Sequence, residues 1–103
     1  MTDKEFLKEV ILRGSKGSKG CFEYAHIAAI LLPKNLHEQL EQLVRNPTWD
    51  GDVICKSLRA ELFDYGLAVR VCVNGEQGYT GATYFAFSIL KRIKEIKEGR
   101  IGE

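Results

Sequence analysis

The chain has 103 residues, 45% of them hydrophobic and 28% charged, with 15 basic against 14 acidic side chains and a formal net charge of +1. At that length roughly 65% of the surface of the unfolded chain can be buried, enough for one modest core without covalent staples and too little for two. The apolar fraction and low net charge argue against a disordered chain. Three cysteines, Cys21, Cys55 and Cys72, with no CxxC pair and no secretory signal, fit a reducing, cytoplasmic compartment. The longest apolar run, residues 27–32, is far short of the ~20 residues of a membrane span, so no membrane association is expected.

Residues 3–13 space Phe6, Leu7, Val10 and Ile11 three and four apart, which predicts a short amphipathic helix with Asp3 as its N-cap. The following Gly14-Ser15-Lys16-Gly17-Ser18-Lys19-Gly20 carries glycine too often for a helix interior and reads as a loop that ends the helix. It spells GXXG twice, so Lys16 and Lys19 are candidate phosphate contacts, and a plain solvated linker is the alternative. Residues 21–32 are apolar nearly all round, predicting a buried helix stopped by Pro33. Asn35 and Glu38 resemble a capping pair for a third helix, with Leu36, Leu40, Leu43 and Val44 on one face and Pro47 beyond its end.

Residues 48–52 are turn chemistry, and residues 52–56 have room for one helical turn. Ser57 is the expected N-cap of a short helix with Leu58, Leu62 and Tyr65 on one face and Gly66 as its stop. Residues 67–73 then alternate, with Leu67, Val69, Val71 and Val73 on one side and Ala68, Arg70 and Cys72 on the other, the period of a strand. Asn74-Gly75 signals a hairpin, with Glu76, Gln77 and Gly78 lengthening its tip and residues 78–80 returning. After Gly81, the residues Ala82, Ala86, Ile89, Ile93 and Ile96 form the stripe of a last helix of about four turns. The expectation is a single domain over residues 1–103, mainly α with a small β-hairpin, an α+β class: a helical part over 1–47, then a helix, hairpin and closing helix over 48–98.

The order from Asp52 through the helix ending in Gly66-Leu67, the strand to Val73, the Asn-Gly turn and Gly78-Tyr79-Thr80-Gly81-Ala82-Thr83 resembles the recognition helix and wing of winged helix-turn-helix domains. The resemblance covers residues 48–98, and the size and style are similar to small phage and mobile-element proteins. It implies a winged-helix-like fold in which Lys56, Ser57 and Arg59 begin the groove-facing helix and Arg70, Asn74 and Gln77 lie on the wing. An arginine suits paired hydrogen bonds to guanine, and a serine at a helix N-terminus suits phosphate. Glu61 and Asp64 on the same helix would repel phosphate if they faced outward. The second helix of such a motif is either a stub at residues 53–55 or the third helix acting across a long turn.

His26, His37 and Cys21 lack a spacing that would gather them on one metal, and no nucleophile, base and oxyanion-hole set is present, so neither a metal, a cofactor nor an enzymatic activity is expected. Cys55 and Cys72 read as small core residues, and Trp49 as a plug beneath the hairpin. Tyr84, Phe85 and Phe87 put aromatic rings on more than one face of the last helix, which makes them candidates for a homodimer interface. Two functions follow as expectations. The first is a small DNA-binding transcriptional or mobile-element regulator acting on double-stranded DNA. The alternative is an adaptor or inhibitor that keeps the fold and binds a protein partner, suggested by the near-neutral charge and the acidic groups at Glu61 and Asp64.

Overall fold

The computed structural model describes residues 2–16 and 21–99 of the chain. Helix α1 spans Asp3–Ser15 and α2 spans Cys21–Leu31; a 3-10 turn at Lys34–Leu36 leads into α3, His37–Arg45. A two-residue strand β1, Thr48–Trp49, and a 3-10 turn at Asp50–Asp52 precede α4, Lys56–Tyr65. Strands β2, Ala68–Val73, and β3, Glu76–Ala82, form the hairpin, and α5 spans Tyr84–Lys97. The architecture is mainly helical with a small antiparallel sheet of three strands in the order β1-β3-β2. No helix among the described residues is long and apolar enough to cross a membrane.

The local chemistry explains most boundaries and corrects several expectations. Thr2, not Asp3, caps α1: its hydroxyl accepts from the Glu5 amide at 3.2 Å, which leaves Asp3 in the first turn beside the positive end of the helix dipole. Gly14 does not end α1 but lies inside it, where α5 approaches so closely that a Cβ would come within 2.1 Å of the Phe85 ring. The repeat's second half, Gly17 to Gly20 with Lys19, lies outside the described residues. Asn35 and Glu38 form no cap; the 3-10 turn hands its last residue, Leu36, to α3 without a side-chain bond. Gly66 at φ 80° closes α4 in the left-handed region that favours glycine.

The hairpin is tighter than the sequence suggests. Asn74 at φ 52° and Gly75 at φ 81° make a two-residue turn, Val73 pairs with Glu76, and the return strand starts at Glu76 rather than Gly78. The extra residue that appeared to lengthen the tip is instead a bulge in β3, where Gly78 takes φ 95° beneath the Trp49 ring. Residues 48–52 are not only a turn: Thr48 and Trp49 pair with Thr80 and Tyr79, which adds the third strand.

One continuous core joins every layer. Helix α2 packs between α1 and α5, while α3 and α4 close the other side against the sheet. Leu7, Ile11, Leu36, Leu40, Leu62, Leu67 and Ile89 are buried completely or nearly so, and each such side chain contributes roughly 1.5–3 kcal/mol of transfer free energy. Of the two sheet faces, the one carrying Ala68, Thr48 and Thr80 turns inward; the valine side carries Val69, Val71, Tyr79 and Trp49 and is partly open to solvent. Trp49 is thus no core plug: 46% of it is exposed, and its ring meets Tyr79 edge-on at 5.5 Å.

The contact between Gly14 and Phe85 gives a direct test. Gly14→Ala should destabilise the fold by about 1–3 kcal/mol through overpacking, measured by urea unfolding, and Phe85→Leu in the same chain should recover part of that loss.

Candidate nucleic-acid interface

Helix α4 is held in place by backbone hydrogen bonds from side chains of α3. Gln39 is fully buried; its Oε1 accepts from the Cys55 amide at 2.8 Å and its Nε2 donates to Gln42 Oε1 at 2.8 Å. Gln42 Oε1 also accepts from the Ile54 amide at 3.0 Å, and Gln42 Nε2 donates to the Asp52 carbonyl at 2.7 Å. The segment leading into α4 has too few residues for a supporting helix of its own, so this glutamine pair supplies the partners that its peptide groups require.

The residues singled out from the sequence divide into two groups. Lys56 and Ser57 are exposed at the start of α4, and Ala60 continues their stripe one turn on. Helix α4 begins at Lys56 with Cys55 in the N-cap position, so Ser57 sits in the first turn rather than capping it. Arg70, Asn74 and Gln77 are exposed on the hairpin, where Arg70 and Gln77 line one open groove of about 480 Å³ with Asp50 and Cys72. Lys16 is exposed at the end of α1, on an element removed from the hairpin, and Lys19 lies outside the described residues.

Arg59 does not face a groove. Its side chain is 14% exposed and its Nη1 donates to Asp50 Oδ1 at 2.7 Å; Arg70 Nη1 donates to the same oxygen at 2.6 Å. Arg70 also lies over the Phe63 ring, its guanidinium carbon 5.6 Å from the centroid. One carboxylate therefore ties the 3-10 turn, α4 and β2 together, with Arg59 largely enclosed against it.

On the opposite flank of α4, Asp64 receives Lys4 Nζ at 2.9 Å and Lys8 Nζ at 3.0 Å. The repulsion expected of Asp64 is thereby offset by two lysines. Their contribution was missed in the sequence, although the spacing of four on one helix face was the signal available. These lysines, Lys4 first, hold the Asp64 carboxyl below its ordinary pKa. Glu61 is half-buried on the same flank.

The remaining candidates occupy structural positions or unexpected ones. Phe85 is buried in the core against Gly14 and is unavailable to a dimer interface, whereas Tyr84 is 93% and Phe87 46% exposed. Cys72 is exposed on the hairpin and Cys55 is half-buried at the start of α4, so neither is a core residue. The Ser57 hydroxyl, 3.1 Å from Cys55 Sγ, and the first amides of α4 lower the Cys55 thiol pKa. His26 Nδ1 accepts from Arg92 Nε at 3.0 Å, and His37 Nε2 donates to the Leu32 carbonyl at 3.2 Å. Burial, then the nearby Lys97 and Lys34, lower the His37 pKa. Among the described residues no group of three or more His, Cys, Asp or Glu comes together to hold a metal ion.

Two outcomes test this scaffold. Gln39→Leu should destabilise the protein by about 1–3 kcal/mol, because the Cys55 amide loses its acceptor, and amide exchange should accelerate first at residues 52–57. The stability that Asp64 supplies is present above its unfolded-state pKa and is lost as pH falls through its lower folded value. Urea unfolding of Asp64→Asn should therefore show a shallower loss of stability on acidification than the parent. No protein-family model, curated protein or solved structure matches the chain.

Proposed function

We propose that the protein is a small winged-helix DNA-binding protein in which α4 enters the major groove and the β2–β3 hairpin lies against the flanking backbone. The sequence of elements α3, β1, 3-10 turn, α4, β2, β3, with the sheet order β1-β3-β2, supports the winged-helix reading, with the 3-10 turn standing where a second helix would be. The observation that carries the functional reading is the surface of α4. Its outward stripe is short, Ser57 and Ala60, and it is flanked by cations on both sides, Lys4 and Lys8 toward α1 and Lys56 and Arg70 toward the hairpin. A small-residue ridge permits close approach to base edges, and paired cationic flanks match the two phosphate strands that border a groove.

In this reading Lys56 and Ser57 meet the bases or nearest phosphates, Arg70 and Gln77 meet the backbone along the hairpin groove, and Asn74 extends the contact at its tip. The carboxylates of Asp50 and Asp64 preorganise these cations and moderate their affinity, giving binding that is weak and steeply dependent on salt. A protein-binding role is the second reading, favoured by the half-exposed Trp49 and exposed Val69 on the outer sheet face. It makes the opposite prediction for DNA.

The test is fluorescence anisotropy with a mixed-sequence duplex of about 24 base pairs. With roughly five phosphate contacts, affinity should fall by about 10²–10³-fold between 50 and 200 mM salt. Lys56→Glu should weaken binding at least tenfold at the lower salt while leaving the fold intact, since a carboxylate is favourable at a helix N-terminus. Absence of binding at 50 mM salt, or unchanged affinity in Lys56→Glu, would overturn the reading in favour of a protein partner.

A further inference from the structure

In the sheet order β1-β3-β2 one edge of β3 is covered by β1, and among the described residues no strand pairs with the outer edge of β2. Its six residues, Ala68-Val69-Arg70-Val71-Cys72-Val73, are rich in β-branched side chains and include neither proline nor lysine, and the bulge that twists the hairpin lies in β3. Edge strands of this kind are templates for another strand, and proteins ordinarily blunt them with charges, prolines or bulges. The one charge on β2, Arg70, is drawn down onto Asp50 and the Phe63 ring.

The phase of the ladder identifies which main-chain groups are on offer. The Thr83 amide donates to the Leu67 carbonyl at 3.0 Å, and the register pairs Val69 with Gly81 and Val71 with Tyr79. Hydrogen-bonded pairs alternate along an antiparallel ladder, so Leu67, Val69 and Val71 bond inward to β3, while the N–H and C=O of Arg70 and Cys72 point to the open edge.

We infer that β2 pairs with β2 of a second copy of this chain, antiparallel about a two-fold axis at Val71, joining two three-stranded sheets into one of six. Three two-fold registers pair the outward-pointing groups of Arg70 and Cys72 among themselves, and a centre nearer the start of the strand would need those of Ala68, which is buried. A centre at Arg70 apposes two guanidinium groups, and a centre at Cys72 runs the pairing into the Asn74-Gly75 turn. The centre at Val71 sets Arg70 opposite the second copy's Cys72, forms four main-chain hydrogen bonds, and aligns Val69, Val71 and Val73 of each copy on the outer face as cross-strand neighbours. The contact is self-complementary, as a two-fold interface must be. A single strand edge is smaller than a standard interface, so the association is weak and shows at high protein concentration. This association is independent of the DNA-binding reading and differs from a contact through the last helix.

The experiment is sedimentation equilibrium of the reduced protein from 20 µM to 1 mM, with folding followed by circular dichroism. The wild type should show a monomer–dimer equilibrium. Val71 faces its own counterpart across the axis, so Val71→Glu and Val71→Lys should each be monomeric, and an equimolar mixture of the two should recover a dimer. Cys72→Pro removes only an outward-pointing N–H and should abolish association with the hairpin intact. A wild type monomeric at 1 mM overturns the inference. Undiminished association of either Val71 variant, or of Cys72→Pro, overturns it equally by moving the contact to another surface, such as Tyr84 and Phe87.

Discussion

The orientation of α4 depends on a buried amide. Gln39 sits among Leu36, Leu40 and Leu43 on the inner face of α3, where an apolar side chain would be the ordinary choice, yet it is fully buried. Its place there follows from the segment opposite, which approaches the core as irregular backbone and needs hydrogen-bond partners that it cannot find in itself. An unmet amide in that environment costs about 1–3 kcal/mol, more than the glutamine forfeits by leaving water once both of its polar atoms are bonded. Gln42 completes the arrangement by serving Ile54 and Asp52 at the solvent side. Two side chains on one helix thus anchor the irregular segment that leads into α4, and they set the direction in which Lys56 and Ser57 emerge.

Around that fixed helix the charges are organised as two triads, each one carboxylate between two cations. Asp50 accepts from two arginines at the hairpin flank, and Asp64 accepts from two lysines at the α1 flank. Each leaves a net positive group in a defined place, and each joins elements distant in sequence. The two differ in strength for a physical reason. The Asp64 cluster is open to solvent, so its contribution to stability is small, whereas Arg59 is largely enclosed against its carboxylate partner.

Much of this was legible in the residue order. The five helices, the alternation of β2, the Asn-Gly turn and the stop at Gly66 follow from periodicity and turn chemistry that need no tertiary context. What could not be read was set by contacts across the fold. Gly14 looks like a loop residue until Phe85 is laid against it, and Gly78 looks like part of a turn until Trp49 is placed above it. A two-residue strand such as β1 has no period of its own and exists only by pairing with Thr80 and Tyr79. The candidate site follows the same division. Exposure of Lys56, Ser57, Arg70, Asn74 and Gln77 is consistent with their local patterns, but the capture of Arg59 by a residue nine positions earlier, and the enclosure of Phe85, depend on geometry that the sequence does not display.

The chain's lone tryptophan rests on the bulge glycine and touches Tyr79 by its edge, half in water. Opening of the hairpin would lift the indole from both neighbours and hydrate it, so its emission colour and quenching are an intrinsic optical gauge of this one supersecondary unit. The helical layers carry no second indole to obscure that signal. Hairpin fraying can therefore be followed separately from helix melting in a molecule to which no label has been attached.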